Sequence, residues 1–163
     1  MYLVIVHDTR DKVTKHRNVD EYLVSQGHKV VRSKLFVGDV SLLNNQSICI
    51  DLKKNLQEVC QNVCQDHARF RRELERAAEY GIKLVFLVEH GGKIKTLEDV
   101  QHWTNPRLKE HPLAMSGERL YKVMLTMQNK YGIEWRFCDK RNTGQRIIEI
   151  LSGNTNVTGG ETR

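Results

Sequence analysis

The sequence predicts an α/β domain in which a central mixed β-sheet is flanked by helices. Short apolar segments rich in β-branched residues alternate with segments whose apolar residues recur at helical spacing. A hairpin among three consecutive predicted strands adds antiparallel pairing to the sheet. The length of 163 residues is typical of one domain that can bury its own core.

The first third of the chain predicts four strands and one helix. The helix begins at Asn18, which opens a sequence resembling a capping box, and ends near Gly27. Asn44 and Asn45 suit a tight hairpin between the last two strands, because asparagine tolerates a positive φ. The predicted strands span residues 2–6, 29–36, 37–43 and 47–52.

The remainder predicts helices around two further strands. An apolar stripe starts after Lys54 and continues into a second helix that ends at Gly81. The later elements are a strongly apolar strand at 82–88, helices at 96–103, 116–130 and 143–151, a proline-containing loop at 105–115 and a strand at 133–138. We therefore expect one domain over residues 1–151 and a flexible C-terminal tail over 152–163.

Composition narrows the class of protein without naming a function. Hydrophobic residues make up 39% and charged residues 28% of the chain, as in ordinary globular proteins. No apolar run is long enough for a membrane span, and the apolar N-terminus is too short for a signal peptide, so a cytoplasmic location is expected. The net charge of +6 attracts polyanions but does not identify them.

The most informative residues are Asp39, Asp51 and Lys53. Residues two apart on a strand face the same side, so Asp51 and Lys53 point together while Ile50 and Leu52 point into the core. If the hairpin pairs as predicted, Asp39 lies close to Asp51. Two neighbouring carboxylates repel each other, and a divalent cation such as Mg²⁺ relieves that repulsion. The alternative is a solvated ion pair of Asp51 with Lys53 and an ordinary turn residue at Asp39.

Five short motifs follow one another along the chain: Asp8-Thr9-Arg10-Asp11, Gly38-Asp39, Asp51-Leu52-Lys53, Arg69-Phe70 and Phe86-Leu87-Val88-Glu89. In this order the motifs resemble the XPF-type nuclease domain of the PD-(D/E)xK, or restriction-endonuclease-like, superfamily. The resemblance covers about residues 2–151. Single-domain phage or bacterial forms are the nearer comparison.

The resemblance implies a metal-dependent nuclease site. Asp39, Asp51 and Lys53 become its catalytic residues, and Asp8 joins Asp39 and Asp51 in holding Mg²⁺ or Mn²⁺. Glu89 is a weaker candidate for the site. Three departures stand out. Asp51 replaces a glutamate of the family, and Leu52 replaces an arginine. Too few residues follow 151 for the helix-hairpin-helix module that the family usually carries.

Several basic residues are candidates for holding nucleic acid. A helical stripe could contact phosphates, or it could be a solvated face paired with Glu73, Glu75 and Glu79. Trp103 and Trp135 could stack on unpaired bases, although Trp135 fits a core position better. The candidates are Arg10, Lys54, Arg69, Arg72 and Arg76.

The favoured function is a DNA endonuclease that hydrolyses phosphodiester bonds, with branched or otherwise structured DNA as a candidate substrate. A non-catalytic DNA-binding module on the same fold is the main alternative. A domain that binds protein or a small ligand is a third. The oligomeric state, including a homodimer, stays open. Cys60, Cys64 and His67 could share a helical face and bind zinc, but core packing is the favoured explanation for these residues.

Overall fold

The computed structural model describes residues 1–156, and within them it contains one mixed sheet of six strands. In chain order, the strands are β1 (Val4–His7), β2 (Lys29–Arg32), β3 (Val40–Leu42), β4 (Ile48–Lys53), β5 (Lys83–Glu89) and β6 (Glu134–Cys138). Their spatial order is β2-β1-β3-β4-β5-β6. β3 runs antiparallel to both of its neighbours, whereas the other pairs are parallel. The predicted mixed α/β architecture is confirmed.

Helices cover both faces of this sheet, and each face encloses an apolar core. The α-helices are α1 (Arg17–Ser25), α2 (Leu56–Cys64), α3 (His67–Glu79), α4 (Gly117–Tyr131) and α5 (Thr143–Asn156). One core lies under α2, α3 and α4, and it includes Phe86 and Trp135. The other lies under α1 and α5, and it includes Ile50 and Leu87. None of the helices in the described part of the chain is long and apolar enough to cross a membrane.

Several predicted boundaries were wrong. The second and third strands are shorter than expected, and the segment 96–103 forms a 3₁₀ helix only over Glu98–His102. A further 3₁₀ turn at Pro106–Lys109 lies within the predicted loop. The last helix continues to Asn156 rather than ending at residue 151. The rest of the predicted tail, residues 157–163, lies outside the described residues.

Two local predictions failed for identifiable reasons. The hairpin between β3 and β4 forms, but no residue other than glycine has a positive φ in the described chain, so Asn44 and Asn45 do not act as predicted. α1 begins at Arg17, and its N-cap residue His16 makes no side-chain capping bond. Asn18 therefore lies inside the first turn and is not the N-cap residue, so the capping box expected between Asn18 and Glu21 does not form. Asp20 of the same turn bonds to the His7 imidazole of β1.

Candidate active site

β4 presents Asp51 and Lys53 on the face of the sheet that α3 covers. Lys53 Nζ lies 3.1 Å from Asp51 Oδ1, and each side chain is 9% exposed. The ammonium also sits 5.3 Å from the ring centroid of Phe70 and 5.6 Å from that of Phe86. Ile50 and Leu52 are buried in the opposite core, as the strand alternation predicted. The Leu52 side chain therefore does not lie on the face of the sheet that carries Asp51.

Asp39 reaches the same place from the start of β3. The register pairs Val40 with Ile50, which sets Asp39 beside Asp51. Its Oδ2 accepts a hydrogen bond of 2.7 Å from the Leu52 amide. The preceding Gly38 has φ +74°, and a Cβ there would lie 3.0 Å from the Ile50 carbonyl oxygen, so this close approach requires glycine.

Asp8 follows β1 and is 2% exposed. Its Oδ1 accepts a 2.8 Å hydrogen bond from the Leu35 amide, and its Oδ2 accepts one of 2.6 Å from Arg10 Nε. Arg10 in turn donates from its guanidinium to the Leu35 carbonyl. Asp8 thus lines the cleft while both of its oxygens hold protein donors, and it fixes Arg10 in place.

Glu73 of α3 is a site residue that sequence reasoning missed. Its Oε1 accepts a 3.2 Å hydrogen bond from the Gly38 amide, and its carboxyl lies next to that of Asp51. The sequence offered only an acid inside an arginine-rich helix, which suggested pairing with the neighbouring arginines. Its position next to the buried Leu74 was the one available indication that it faces inward.

The carboxyl groups at this site repel one another. Burial, followed by the charge of Asp51, raises the pKa of Glu73 to about 9. Burial and the charges of Asp51 and Asp11 likewise raise the pKa of Asp39 well above its usual range. Burial opposes the charged form of Lys53, but the charges of Asp51 and Glu73 outweigh it and raise the pKa of the ammonium. Lys53 therefore stays protonated.

These groups line a cleft of about 540 Å³. Arg69, Arg72 and Arg76 are exposed and lie along its wall on α3. Within the described residues, none of these three forms an ion pair. The solvated-pair alternative holds instead for Arg71, which lies 3.7 Å from Glu75. Lys15, which sequence analysis did not single out, also lines the cleft.

Other predicted residues lie elsewhere. Lys54 is exposed in a neighbouring cleft, together with Glu89, whose carboxylate accepts a 2.9 Å hydrogen bond from the Thr143 hydroxyl. Trp135 is a core residue that donates to the Met124 carbonyl. The cysteines, including Cys60 and Cys64, are free thiols. In the described part of the chain, no metal-ligand group includes them or His67.

Acidic residues at the ends of adjoining strands, a buried lysine two residues after one of them and a mixed sheet define a restriction-endonuclease-like nuclease domain. A family model described as the ERCC4 domain matches residues 8–151. The chain belongs to this family of nuclease domains.

Solved structures support the same fold. XPF from Aeropyrum pernix is 19% identical, with a TM-score of 0.64, and the match covers 94% of this chain and 65% of that one. XPF from Aeropyrum pernix in complex with DNA is 20% identical, with a TM-score of 0.67, and covers 99% and 69%. The chain therefore spans about two thirds of the length of these proteins. A comparison with curated proteins found no match.

Proposed function

We propose that this protein is a divalent-metal-dependent DNA endonuclease that hydrolyses phosphodiester bonds in the cleft beneath α3. The observation that carries the proposal is that Asp39, Asp51 and Glu73 line one cleft together with Lys53. Membership of a nuclease family supports the reaction class. The DNA complex of the similar XPF from Aeropyrum pernix supports DNA as the polymer.

The donor set fits Mg²⁺ or Mn²⁺. Asp39, Asp51 and Glu73 offer only carboxylate oxygens, which are the ligands these hard cations prefer. The raised pKa values of Asp39 and Glu73 reflect negative charge that a single ammonium does not balance. A bound divalent cation supplies neutralisation of phosphate charge and acidification of water. Asp8 remains a proposed ligand, through lone pairs not used by Arg10 and Leu35.

Lys53 acts as a fixed cation in this scheme. Its protonated ammonium cannot accept a proton, so it is not the general base. It donates hydrogen bonds instead, either to orient the attacking water or to stabilise charge that grows on the phosphoryl oxygens. The surrounding rings of Phe70 and Phe86 exclude water and hold the ammonium in position.

Basic residues on the cleft wall would hold the DNA backbone. Arg69, Arg72 and Arg76 are exposed and free of carboxylate partners in the described structure, so their charges are available to phosphates. Arg10 also lines the cleft, where Asp8 orients its guanidinium. Lys54 would contact DNA only if the strand continues into the neighbouring cleft.

The rival function is a DNA-binding module without catalysis. It is motivated by the departure at Leu52, where the family carries an arginine. The Leu52 side chain packs on the face of β4 opposite Asp51, so this departure leaves the donor set and Lys53 intact. The rival requires salt-sensitive DNA binding with no dependence on divalent cations and no product.

Cleavage of branched, nicked and plain duplex DNA tests the proposal. Reactions with Mg²⁺ or Mn²⁺ are compared with EDTA, using wild-type protein, Asp51→Asn and the control Glu75→Gln, which changes an exposed acid on the same helix as Glu73. We expect cation-dependent cutting that Asp51→Asn slows by about 10²-fold or more and that Glu75→Gln leaves unchanged. Cutting by Asp51→Asn at the wild-type rate would exclude this site, and binding without any product would favour the rival.

A further inference from the structure

Two imidazoles and a carboxylate converge beside the cleft, where the end of β1 meets the start of α1. His7 is the last residue of β1, His16 immediately precedes α1, and Asp11 lies in the connecting loop. Their ligand atoms all lie within 4.8 Å of one another, and among the described residues no other group of three or more potential ligands does so.

The remaining polar atoms of these side chains are partly occupied, which leaves one inward-facing atom on each. His7 Nδ1 lies 3.0 Å from an Asp20 oxygen, and Asp11 Oδ1 accepts a 3.0 Å hydrogen bond from Lys15 Nζ. The three atoms that face one another are His7 Nε2, His16 Nε2 and Asp11 Oδ2. All three are buried and have no hydrogen-bond partner in the described structure.

The spacing of these atoms matches a metal coordination shell. Asp11 Oδ2 lies 3.5 Å from His7 Nε2 and 3.4 Å from His16 Nε2. Zinc bonds of about 2.0–2.2 Å at tetrahedral angles separate two ligand atoms by roughly 3.4 Å. The His7 side chain is only 2% exposed, so its orphaned nitrogen is a group that folding would otherwise leave unsatisfied at a cost.

We propose that His7, Asp11 and His16 form a zinc site beside the all-oxygen cleft, which Asp11 also lines. Two imidazole nitrogens with one carboxylate suit Zn²⁺, whereas Mg²⁺ prefers oxygen donors. Asp20 completes the arrangement from behind, because its carboxylate holds His7 Nδ1 and thereby presents Nε2 to the metal. Three protein ligands leave a fourth position for water.

The other candidate for this position is a proton. Burial alone would lower the pKa of His7, but the neighbouring carboxylates of Asp11 and Asp20 outweigh it and raise the pKa to about 9. A proton on His7 Nε2 can pair this nitrogen with Asp11 Oδ2, although the 3.5 Å separation is long for a charged hydrogen bond. A metal bonds to all three atoms at once.

The site would brace the loop that supplies the nuclease cleft. His7 and His16 bracket the segment 8–15, and this segment brings Asp8, Arg10 and Lys15 to the cleft wall. His16 is available for this role because its ring makes no capping bond to α1. The bound zinc fixes the geometry of the loop, so its effects are readable without any nuclease assay.

Zinc binding is measured by competition with a chromophoric chelator, in saturating Mg²⁺ so that the oxygen cleft is occupied. Wild-type protein should bind one Zn²⁺, and its melting temperature should rise by roughly 5 °C. His16→Gln should weaken binding by about 100-fold and Asp20→Asn by about 10-fold. Cys64→Ser and Asp51→Asn should bind as the wild type does, which separates this site from an exposed thiol and from the nuclease cleft.

If His16→Gln fails to fold, X-ray absorption at the zinc edge of the wild-type protein identifies the ligands instead. The expected shell contains nitrogen and oxygen with imidazole scattering and no sulfur. A sulfur shell, loss of binding in Cys64→Ser, unchanged binding in His16→Gln or a melting temperature indifferent to zinc and EDTA would each overturn the proposal. The last outcome would assign the cluster to a proton.

Discussion

The cleft and the histidine cluster lie side by side, but they favour opposite charge states of their buried ionisable groups. The cleft favours a neutral carboxyl group, whereas the cluster favours a charged imidazole. The cleft concentrates carboxyl groups, and the pKa of Glu73 rises to about 9 because its charged form is disfavoured. In the cluster the same value of about 9 at His7 arises because its charged form is favoured by Asp11 and Asp20. Asp11 joins the two regions, since it faces His7 and also raises the pKa of Asp39.

This difference explains why one small region can offer sites for two kinds of cation. Carboxylates that repel one another bind a hard cation through oxygen alone, whereas imidazoles beside a carboxylate select a borderline metal. The cleft is open and carries arginines on its wall, while the inward atoms of the cluster are buried. The first arrangement suits a large polyanionic substrate, and the second suits a retained ion.

Replacing Lys53 with methionine should have the largest effect. Lys53→Met removes the ammonium that we propose acts on the phosphate, so we expect cleavage to slow by about 10²–10³-fold while zinc binding at the cluster is unchanged. Single-turnover cleavage rates measure this. Lys54→Met is the matched control, because it changes an adjacent lysine that is exposed in the neighbouring cleft. Equal rates for the two variants would contradict the assigned role.

Exchanging one ligand in each region should separate the two metals. Glu73→Gln should weaken Mn²⁺ binding by about 10-fold or more and leave zinc affinity alone, because only the cleft loses a charged oxygen. His16→Gln should do the reverse. Calorimetric titration of both metals into both variants measures the crossover. If either variant weakened both metals equally, the two regions would be one coupled site.

The stability of the metal-free protein should fall as pH rises. Folded Glu73 keeps its proton until about pH 9, whereas the unfolded chain releases it near the ordinary glutamate pKa. The stability from this proton is therefore complete below the unfolded pKa and is lost as pH rises through about 9. In EDTA at pH 8, Glu73→Gln should raise the free energy of unfolding by about 1–3 kcal/mol.

Urea unfolding at pH 5 and pH 8 measures this change. Glu75→Gln is the matched control, because Glu75 lies exposed on the same helix beside Arg71. If the Glu73→Gln protein is no more stable than the control at pH 8, repulsion between carboxyl groups does not destabilise the folded protein at Glu73.

The cleft wall should show a smaller, salt-dependent effect. Arg72→Gln should reduce the slope of log affinity against log salt concentration by about 1, because one phosphate contact is lost. Fluorescence anisotropy with labelled DNA in Ca²⁺ or EDTA measures it. Arg71→Gln is the control on the same helix, since Arg71 faces Glu75 instead of the cleft. Identical slopes would place the DNA elsewhere.

Strand alternation and hairpin pairing act over a few residues, and they carried much of the prediction. The spacing of Asp51 and Lys53 was enough to place both on one face, because the side-chain period of a strand is two. The hairpin was enough to bring Asp39 near them. Its turn conformation was not predictable, since Asn44 and Asn45 adopt ordinary negative φ values in the structure.

Contacts between distant segments were beyond local reasoning. Glu73 and Gly38 are separated by 35 positions, and nothing in the helix that carries Glu73 indicates that its carboxylate will meet that amide. His7 and Asp20 are separated by 13 positions, and the sequence around Asp20 does not indicate that its carboxylate will bond to an imidazole of β1. In both cases, an ionisable group has a buried partner that the surrounding sequence does not reveal.

The sequence by itself determined the α/β class, the succession of strands and helices along the chain and the shared face of Asp51 and Lys53, because hydrophobic periodicity and backbone geometry act locally. Only the tertiary structure decided that Glu73 joins the cleft, that Arg72 faces it while Arg71 does not, and that two histidines meet at Asp11. Those outcomes depend on how helices settle against the sheet, and that packing is set by the whole core at once.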